Sequence, residues 1–179
     1  MQEAEMRRTE SGVSPGGPGW FVVNARDATW ERSDVWGATA VFEGEERFCH
    51  FGINLTVIQP GQPSTMYHRE SNQEDFLVLA GECLLLIEEE ERLLKPWDFV
   101  HCPPGTLHGF VGAGEGPSVI LRVGHRDPGE KIVYPVSELA RRYGCGVSRE
   151  THSSKEAYAG EPMPYLARPE GWERLPWNQ

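Results

Sequence analysis

Among the side chains from Gly61 to His108 that can bind a cation or transfer a proton, four stand out by their spacing. His68 and Glu70 come first, Glu74 follows them, and His108 ends the stretch after a strongly apolar run and a turn. Residues at positions i and i+2 of a β-strand project from the same face, so a strand through His68 would place Glu70 beside it. A carboxylate that faces inward between apolar strands must be hydrogen-bonded or bound to a cation, because burying it unpaired costs too much free energy. The pattern therefore favours a metal site.

The segments that must position these side chains are typical of β-strands. Residues 76–80 and 83–87 are apolar on both faces, as expected when one face fills a barrel and the other is covered by a second sheet or a partner subunit. Residues 97–102 and 119–123 continue the series of short apolar segments. The chain therefore predicts an all-β fold.

The first polar cluster resembles the first motif of the cupin superfamily, G-x5-H-x-H-x3–4-E-x6-G. Six residues separate Glu74 from Gly81, as in that motif, and His68 falls on its first His. Glu70 stands where cupins normally place the second His.

The second cluster resembles the second cupin motif, G-x5-P-x-G-x2-H-x3-N. Pro103, Gly105 and His108 match it, while Trp97 stands at its first Gly and Gly112 at its final Asn. Two partly matched motifs in the right order are more specific than either one alone.

This resemblance implies a single cupin jelly-roll β-barrel, which we place at residues 20–126. Residues 1–19 are charged and rich in Gly, Pro and Ser, so we expect a flexible N-terminal tail. Residues 127–179 form a C-terminal extension with a short helix, beginning after the N-cap Ser137, and an extended Pro- and Trp-rich tail. We expect that tail to lie on the barrel or on a partner subunit.

The resemblance also implies one divalent metal ion held by His68, Glu74 and His108, with Glu70 as a fourth ligand candidate. Without Glu70, two imidazoles and one carboxylate resemble the facial set that leaves open positions on ferrous iron. With Glu70, two carboxylates offset the charge of the ion and make the site harder. Zn, Fe, Mn and Ni are not distinguished by these ligands.

A small-molecule ligand is expected in the apolar interior of the barrel next to the metal. Candidates for its lining are Phe76, Val78, Phe99 and Phe110. An apolar cavity with a few polar groups at one end is the usual form of such a site.

Three functions fit this site. The first is a metal-dependent enzyme with dioxygenase-like or isomerase- or lyase-like chemistry, and the second is a non-catalytic module that binds or senses a metal or a small ligand. The third is a structural cupin whose site Glu70 has destroyed, a reading that the presence of His68, Glu74 and His108 opposes. Fold alone does not choose among them.

Charge and composition limit the partners. A formal net charge of −10 and a pI near 5.1 argue against nucleic acid and against an anionic membrane surface. No apolar run is long enough to cross a bilayer, and residues 1–19 lack the apolar core of a signal peptide, so we expect a cytoplasmic protein. Exposed sheet edges and Trp-rich flanks predict a homodimer, the common association of cupins.

Overall fold

The computed structural model describes residues 1–44 and 46–178 of the chain. Glu45, inside the range 20–126, and Gln179, at the end of the range 127–179, lie outside the described residues. The strands are β1 (Met6–Thr9), β2 (Gly12–Pro15), β3 (Thr29–Ser33), β4 (Gly37–Val41), β5 (Phe51–Ile58), β6 (Arg69–Glu70), β7 (Glu74–Ala80), β8 (Glu82–Ile87), β9 (Glu90–Leu94), β10 (Phe99–Cys102), β11 (His108–Ala113), β12 (Ser118–His125), β13 (Ile132–Val133) and β14 (Tyr165–Leu166). The helices are α1 (Glu138–Arg142) and α2 (Ser154–Ala157), and 3₁₀ turns span Trp172–Arg174 and Pro176–Asn178.

Two sheets enclose the core. The larger has the strand order β10-β7-β12-β5-β4-β3-β14, and the smaller has the order β11-β8-β9. Apolar side chains from both sheets meet between them, among them Ile58, Phe76, Val78, Leu85 and Phe110. The all-β jelly-roll prediction is confirmed.

Strand alternation decides which side chains reach the interior. In β7 the buried positions are Glu74, Phe76 and Val78, while Asp75 and Leu77 between them face outward. Because successive side chains of a strand point to opposite faces, two consecutive acidic residues, Glu74 and Asp75, lie in different environments.

The N-terminal segment differs from the flexible tail that we predicted for residues 1–19. The strands β1 and β2 form a hairpin in which Met6 pairs with Pro15 and Thr9 with Gly12. Val13 is buried, and its backbone nitrogen donates to the carbonyl of Asp27. The hairpin therefore docks through a backbone bridge to a distant residue, a contact that composition does not reveal.

The helices of the extension are short. The hydroxyl of Ser137 accepts a hydrogen bond from the backbone nitrogen of Ala140 and so caps α1, as its sequence predicts. No helix in the described part of the chain has the length and apolar character that crossing a bilayer requires.

The end of the chain lies on the outer face of the larger sheet. Trp172 and Trp177 pack against Trp30 of β3, with ring centroids 6.1 and 5.4 Å apart. These aromatics cover Val57 of β5 and Val119 of β12.

Candidate metal centre

A backbone bridge brings the two histidines together. The backbone nitrogen of His108 donates to the carbonyl of His68 at 2.8 Å, and the nitrogen of His68 donates back at 3.1 Å. His108 begins β11 and His68 immediately precedes β6, and their ring centroids are 4.9 Å apart. Two residues 40 positions apart in the chain thus form one antiparallel pair.

Glu74, the first residue of β7, completes a cluster. One ligand atom from each of His68, Glu74 and His108 lies within 4.8 Å of the others. The Oε2 atom of Glu74 is 3.1 Å from Nε2 of His108 and 3.9 Å from Nε2 of His68. All three residues are buried, with 4%, 8% and 2% of their surfaces exposed for His68, Glu74 and His108.

Backbone carbonyls fix the orientation of both imidazoles. The Nδ1 atom of His68 lies 2.7 Å from the carbonyl oxygen of Met66, and Nδ1 of His108 lies 3.0 Å from that of Thr106. A carbonyl oxygen only accepts, so each Nδ1 carries the proton and each Nε2 presents its lone pair to the centre of the cluster. This arrangement is the usual support for a metal-ligating histidine.

Two atoms of the cluster are left without hydrogen bonds. Within the described residues, neither Glu74 Oε2 nor His108 Nε2 has a partner, although both are fully buried. Their 3.1 Å contact joins two acceptors, because the proton of His108 is on Nδ1. Two lone pairs facing each other in a buried site are stabilised by a cation between them, so these residues fit a divalent metal.

The protonation states suit metal binding. Burial lowers the pKa of His68 to about 4, so this imidazole is neutral at neutral pH. For Glu74, burial raises the pKa, but nearby positive charge, including that of Arg122, brings the pKa below its ordinary value. Ligands must be deprotonated to bind a metal, and these two already are.

Glu70 lies at the edge of the cluster. Its Oε1 atom is 3.6 Å from Nε2 of His68, but Glu70 is not one of the three mutually close ligands. On its other side it contacts Glu130, and this hydrogen bond, with burial, raises the pKa of Glu130 to about 8. Sequence reasoning missed Glu130, because its approach depends on the pairing of β13 with β6, where Ile132 lies opposite Glu70.

A cavity of about 150 Å³ opens at this edge of the cluster. It is lined by Gly52, Asn54, Glu70, Glu74, Arg122, Gly124, His125, Arg126 and Glu130. Gly124 of β12 lies between Gly52 of β5 and Glu74 of β7 in register. A Cβ at Gly124 would lie 3.8 Å from the side chain of Glu74, so glycine at this position leaves space next to the carboxylate.

The predicted apolar lining has a different role from the one expected. Phe76, Val78 and Phe110 face the barrel interior but are packed into its core, where Phe76 lies against His108 with ring centroids 5.2 Å apart. The prediction for Phe99 is wrong, since 65% of its surface is exposed. Val100 and Cys102 are the inward residues of β10, so Phe99 between the turn and Val100 must point outward.

Sequence reasoning also missed Asn54 and Arg122. Each is a polar residue within an apolar strand, in Ile53-Asn54-Leu55 and Leu121-Arg122-Val123. In the structure the two lie opposite each other, Asn54 on β5 and Arg122 on β12, and both line the cavity. A polar residue that interrupts an apolar strand is the signal that would have identified them.

Comparison with known proteins identifies the fold. Residues 54–124 match a family model described as Cupin domain. A sugar phosphate isomerase of the cupin superfamily from Silicibacter pomeroyi DSS-3 is 21% identical, with a TM-score of 0.56 over 79% of this chain and 96% of that one. The polyketide cyclase RemF from Streptomyces resistomycificus is 19% identical, with a TM-score of 0.56 over 70% of this chain and 93% of that one.

A further structure shares more sequence over a shorter region. A putative sugar phosphate isomerase from Acidithiobacillus ferrooxidans ATCC 23270 is 34% identical over 49% of this chain, with a TM-score of 0.47. The match spans 57% of that protein's length. Among curated proteins, none matches this chain.

Proposed function

This chain belongs to the cupin superfamily, and on that premise we propose that it binds one divalent metal ion through His68, Glu74 and His108. The observation that carries the proposal is the pair of buried atoms, Glu74 Oε2 and His108 Nε2, that lack hydrogen-bond partners among the described residues. A bound ion supplies a Lewis acid and a template for a small polar molecule.

The donor set defines the class of ion. Two imidazoles and one carboxylate suit Zn, Fe, Mn or Ni, whereas Ca and Mg prefer oxygen ligands alone. Three protein ligands leave open coordination positions for water or substrate. Glu70, 3.6 Å from His68 Nε2, is the candidate for a fourth position.

Among the reactions open to such a site, we propose isomerase- or lyase-like chemistry on an oxygen-rich substrate. Two carboxyl groups, Glu70 and Glu130, line the cavity beside Glu74 and are placed to accept or donate a proton. The cavity lining is mostly polar, which suits a hydroxylated substrate better than an aromatic one. Dioxygenase-like chemistry uses the same three ligands, and a module that binds a ligand without turnover is the alternative.

Metal binding is tested by elemental analysis of protein purified without added metal and by calorimetric titration with Mn²⁺, Zn²⁺ and Co²⁺. We expect about one ion per chain in the wild type and none in His108→Ala. His152→Ala is the matched control, because His152 is an exposed histidine outside the cluster. Equal metal binding by His108→Ala and the wild type would overturn the proposal.

The reaction class is tested after metal loading. Turnover of sugar phosphates or oxoacids without oxygen uptake supports the isomerase- or lyase-like proposal. Oxygen consumption with catechol-like or thiol substrates after ferrous loading supports the dioxygenase. Thermal stabilisation by these compounds with no turnover supports the binding module.

We also propose that a second copy of the chain covers the open part of the outer sheet face. The tail aromatics cover only the portion near Trp30, and Phe51, Ile53, Trp97 and Phe99 remain exposed beyond it. An exposed apolar surface of this kind is typical of an interaction site. Light scattering should give a dimer for the wild type and a monomer for Phe99→Glu, and a monomeric wild type would refute the proposal.

A further inference from the structure

Arg122 is the cavity cation that the metal site does not explain. It is half-buried on β12, in register between Asn54 and Phe76, and it lines the cavity beside Glu74. Within residues 1–44 and 46–178 its guanidinium makes no hydrogen bond or ion pair. It affects Glu74 and His68 only through its charge.

The second arginine of the cavity, Arg126, differs from Arg122 because it has partners within the protein. Arg126 donates to the carbonyl of Phe48 at 2.8 Å and to Oε2 of Glu43 at 3.0 Å. That ion pair satisfies Arg126 from outside the cavity. Arg122 therefore remains available to a ligand, whereas Arg126 does not.

The guanidinium nitrogens of Arg122 are not among the fully buried atoms, so they are accessible from the cavity. The planar set of donors of a guanidinium matches a carboxylate or phosphate with two parallel hydrogen bonds. An anionic ligand in the cavity would supply the missing partner of Arg122.

Asn54 is a second polar residue of the cavity that needs a hydrogen-bond partner. Its Oδ1 atom is buried and has no hydrogen-bond partner in the described part of the chain, so it needs a donor. A ligand hydroxyl next to the anionic group would provide one. Asn54 and Arg122 are cross-strand neighbours, so one small molecule can reach both.

We propose that Arg122 and Asn54 bind the anionic, hydroxyl-bearing end of the substrate. The inference rests on the proposed metal site, and it names the substrate class as a small hydroxylated carboxylate or phosphate. Glu70 and Glu74 are acidic residues of the cavity, and a divalent cation offsets their charge. Anion binding is accordingly stronger with metal than without it.

The test is calorimetric titration of the Co²⁺-loaded and the chelator-treated protein with glycolate, acetate and inorganic phosphate. Glycolate and acetate report the carboxylate, and inorganic phosphate reports the alternative anion. The substitution Arg122→Gln should lower the affinity for the preferred anion by at least about tenfold, because it removes charged hydrogen bonds. Arg149→Gln, at an exposed arginine outside the cavity, should leave the affinity unchanged.

The role of Asn54 is tested by the hydroxyl. Wild-type protein should bind glycolate more tightly than acetate, and Asn54→Ala should reduce that difference. Any chelation of the metal by the glycolate hydroxyl would be the same in both proteins, so the change between them reports Asn54. If Asn54→Ala prefers glycolate over acetate as strongly as the wild type does, Asn54 does not bind the ligand hydroxyl.

The outcomes separate this inference from the proposed function. Arg122→Gln that keeps its thermal midpoint and its Co²⁺ affinity but loses anion binding supports both. Metal binding with anion affinity that is absent, or the same in wild type and Arg122→Gln, overturns the inference alone. Arg122-dependent anion binding by a protein that takes up no metal overturns the metal site and retains the anion site.

Discussion

Two histidine–carboxylate pairs lie on opposite faces of the same strand, and their difference shows what burial does. Inside the barrel, Glu74 Oε2 lies 3.1 Å from Nε2 of His108. Outside, Asp75 Oδ1 lies 2.7 Å from Nδ1 of His101. The acids are consecutive in the chain and the distances are similar, yet the inner side chains are nearly inaccessible while half of the His101 side chain is exposed.

Solvent access and proton position separate the two pairs. The inner His108 donates its Nδ1–H to the carbonyl of Thr106, which leaves the lone pair of its Nε2 facing that of the buried Oε2 of Glu74. In the outer pair the ring nitrogen is within hydrogen-bonding distance of Asp75, and solvent reaches both groups. The inner pair therefore needs a cation, and the outer pair is complete by itself.

Exchanging each acid for its amide should produce the largest difference between the two faces of β7. Glu74→Gln removes the carboxylate from the candidate metal site, and we expect the affinity for Mn²⁺ or Zn²⁺ to fall by more than about 100-fold, beyond the loss typical of a supporting residue. Asp75→Asn, one position away, should bind metal as the wild type does. Calorimetric titration measures both, and equal losses in the two variants would contradict a site confined to the inner face.

Acid should destabilise the metal-free protein through the inner site. The folded pKa of His68 is about 4, below its ordinary value of 6.5, so the unfolded chain binds this proton more readily. The contribution to the free energy of unfolding is present above pH 6.5 and is lost as the pH falls toward 4, with a limit of about 3 kcal/mol. Glu74, whose pKa is also lowered, adds a loss of the same sign.

Urea unfolding of chelator-treated protein between pH 7.5 and 4.5 measures this loss. The wild type should lose more stability on acidification than His68→Gln, which has no imidazole to protonate at this position. Parallel pH profiles for the two proteins would contradict a neutral, buried His68.

A weaker effect of opposite sign is expected at the mouth of the cavity. The hydrogen bond with Glu70, followed by burial, raises the pKa of Glu130 from 4.5 to about 8. Its contribution to stability is complete below pH 4.5 and is lost as the pH rises through about 8. Metal-free Glu130→Gln should therefore lose less stability than the wild type between pH 6 and pH 8.5, with Glu150→Gln, at an exposed residue, as the control.

Local patterns were enough to predict the fold and the residues of the cluster. Motif spacing identified His68, Glu74 and His108, and the structure brings these three together. Spacing works for Glu74 because the first motif runs from it along β7 to the turn at Gly81, so strand alternation fixes which side chains face inward.

The sequence did not predict which distant strands pair with each other. Arg122 meets Asn54 only because β12 pairs with β5, and Glu130 meets Glu70 only because β13 pairs with β6. The prediction for Phe99 failed for a different reason. Strand alternation was counted through the turn at Trp97, which has φ +77°, and this count placed Phe99 on the inner face of β10 instead of the outer one. Register shifts of one residue exchange the two faces of a strand.

The smallest expected effect is on the outer pair. Exposed polar pairs of this kind contribute about 0–1 kcal/mol, because water competes for the contact and ordering the side chains costs entropy. A double-mutant cycle with His101→Ala and Asp75→Asn, measured by urea unfolding of the metal-free protein, should give a coupling of less than about 1 kcal/mol. Neither change should alter metal content. A larger coupling, or metal loss in His101→Ala, would mean that the outer pair is linked to the inner site, and the contrast between the two faces of β7 would no longer hold.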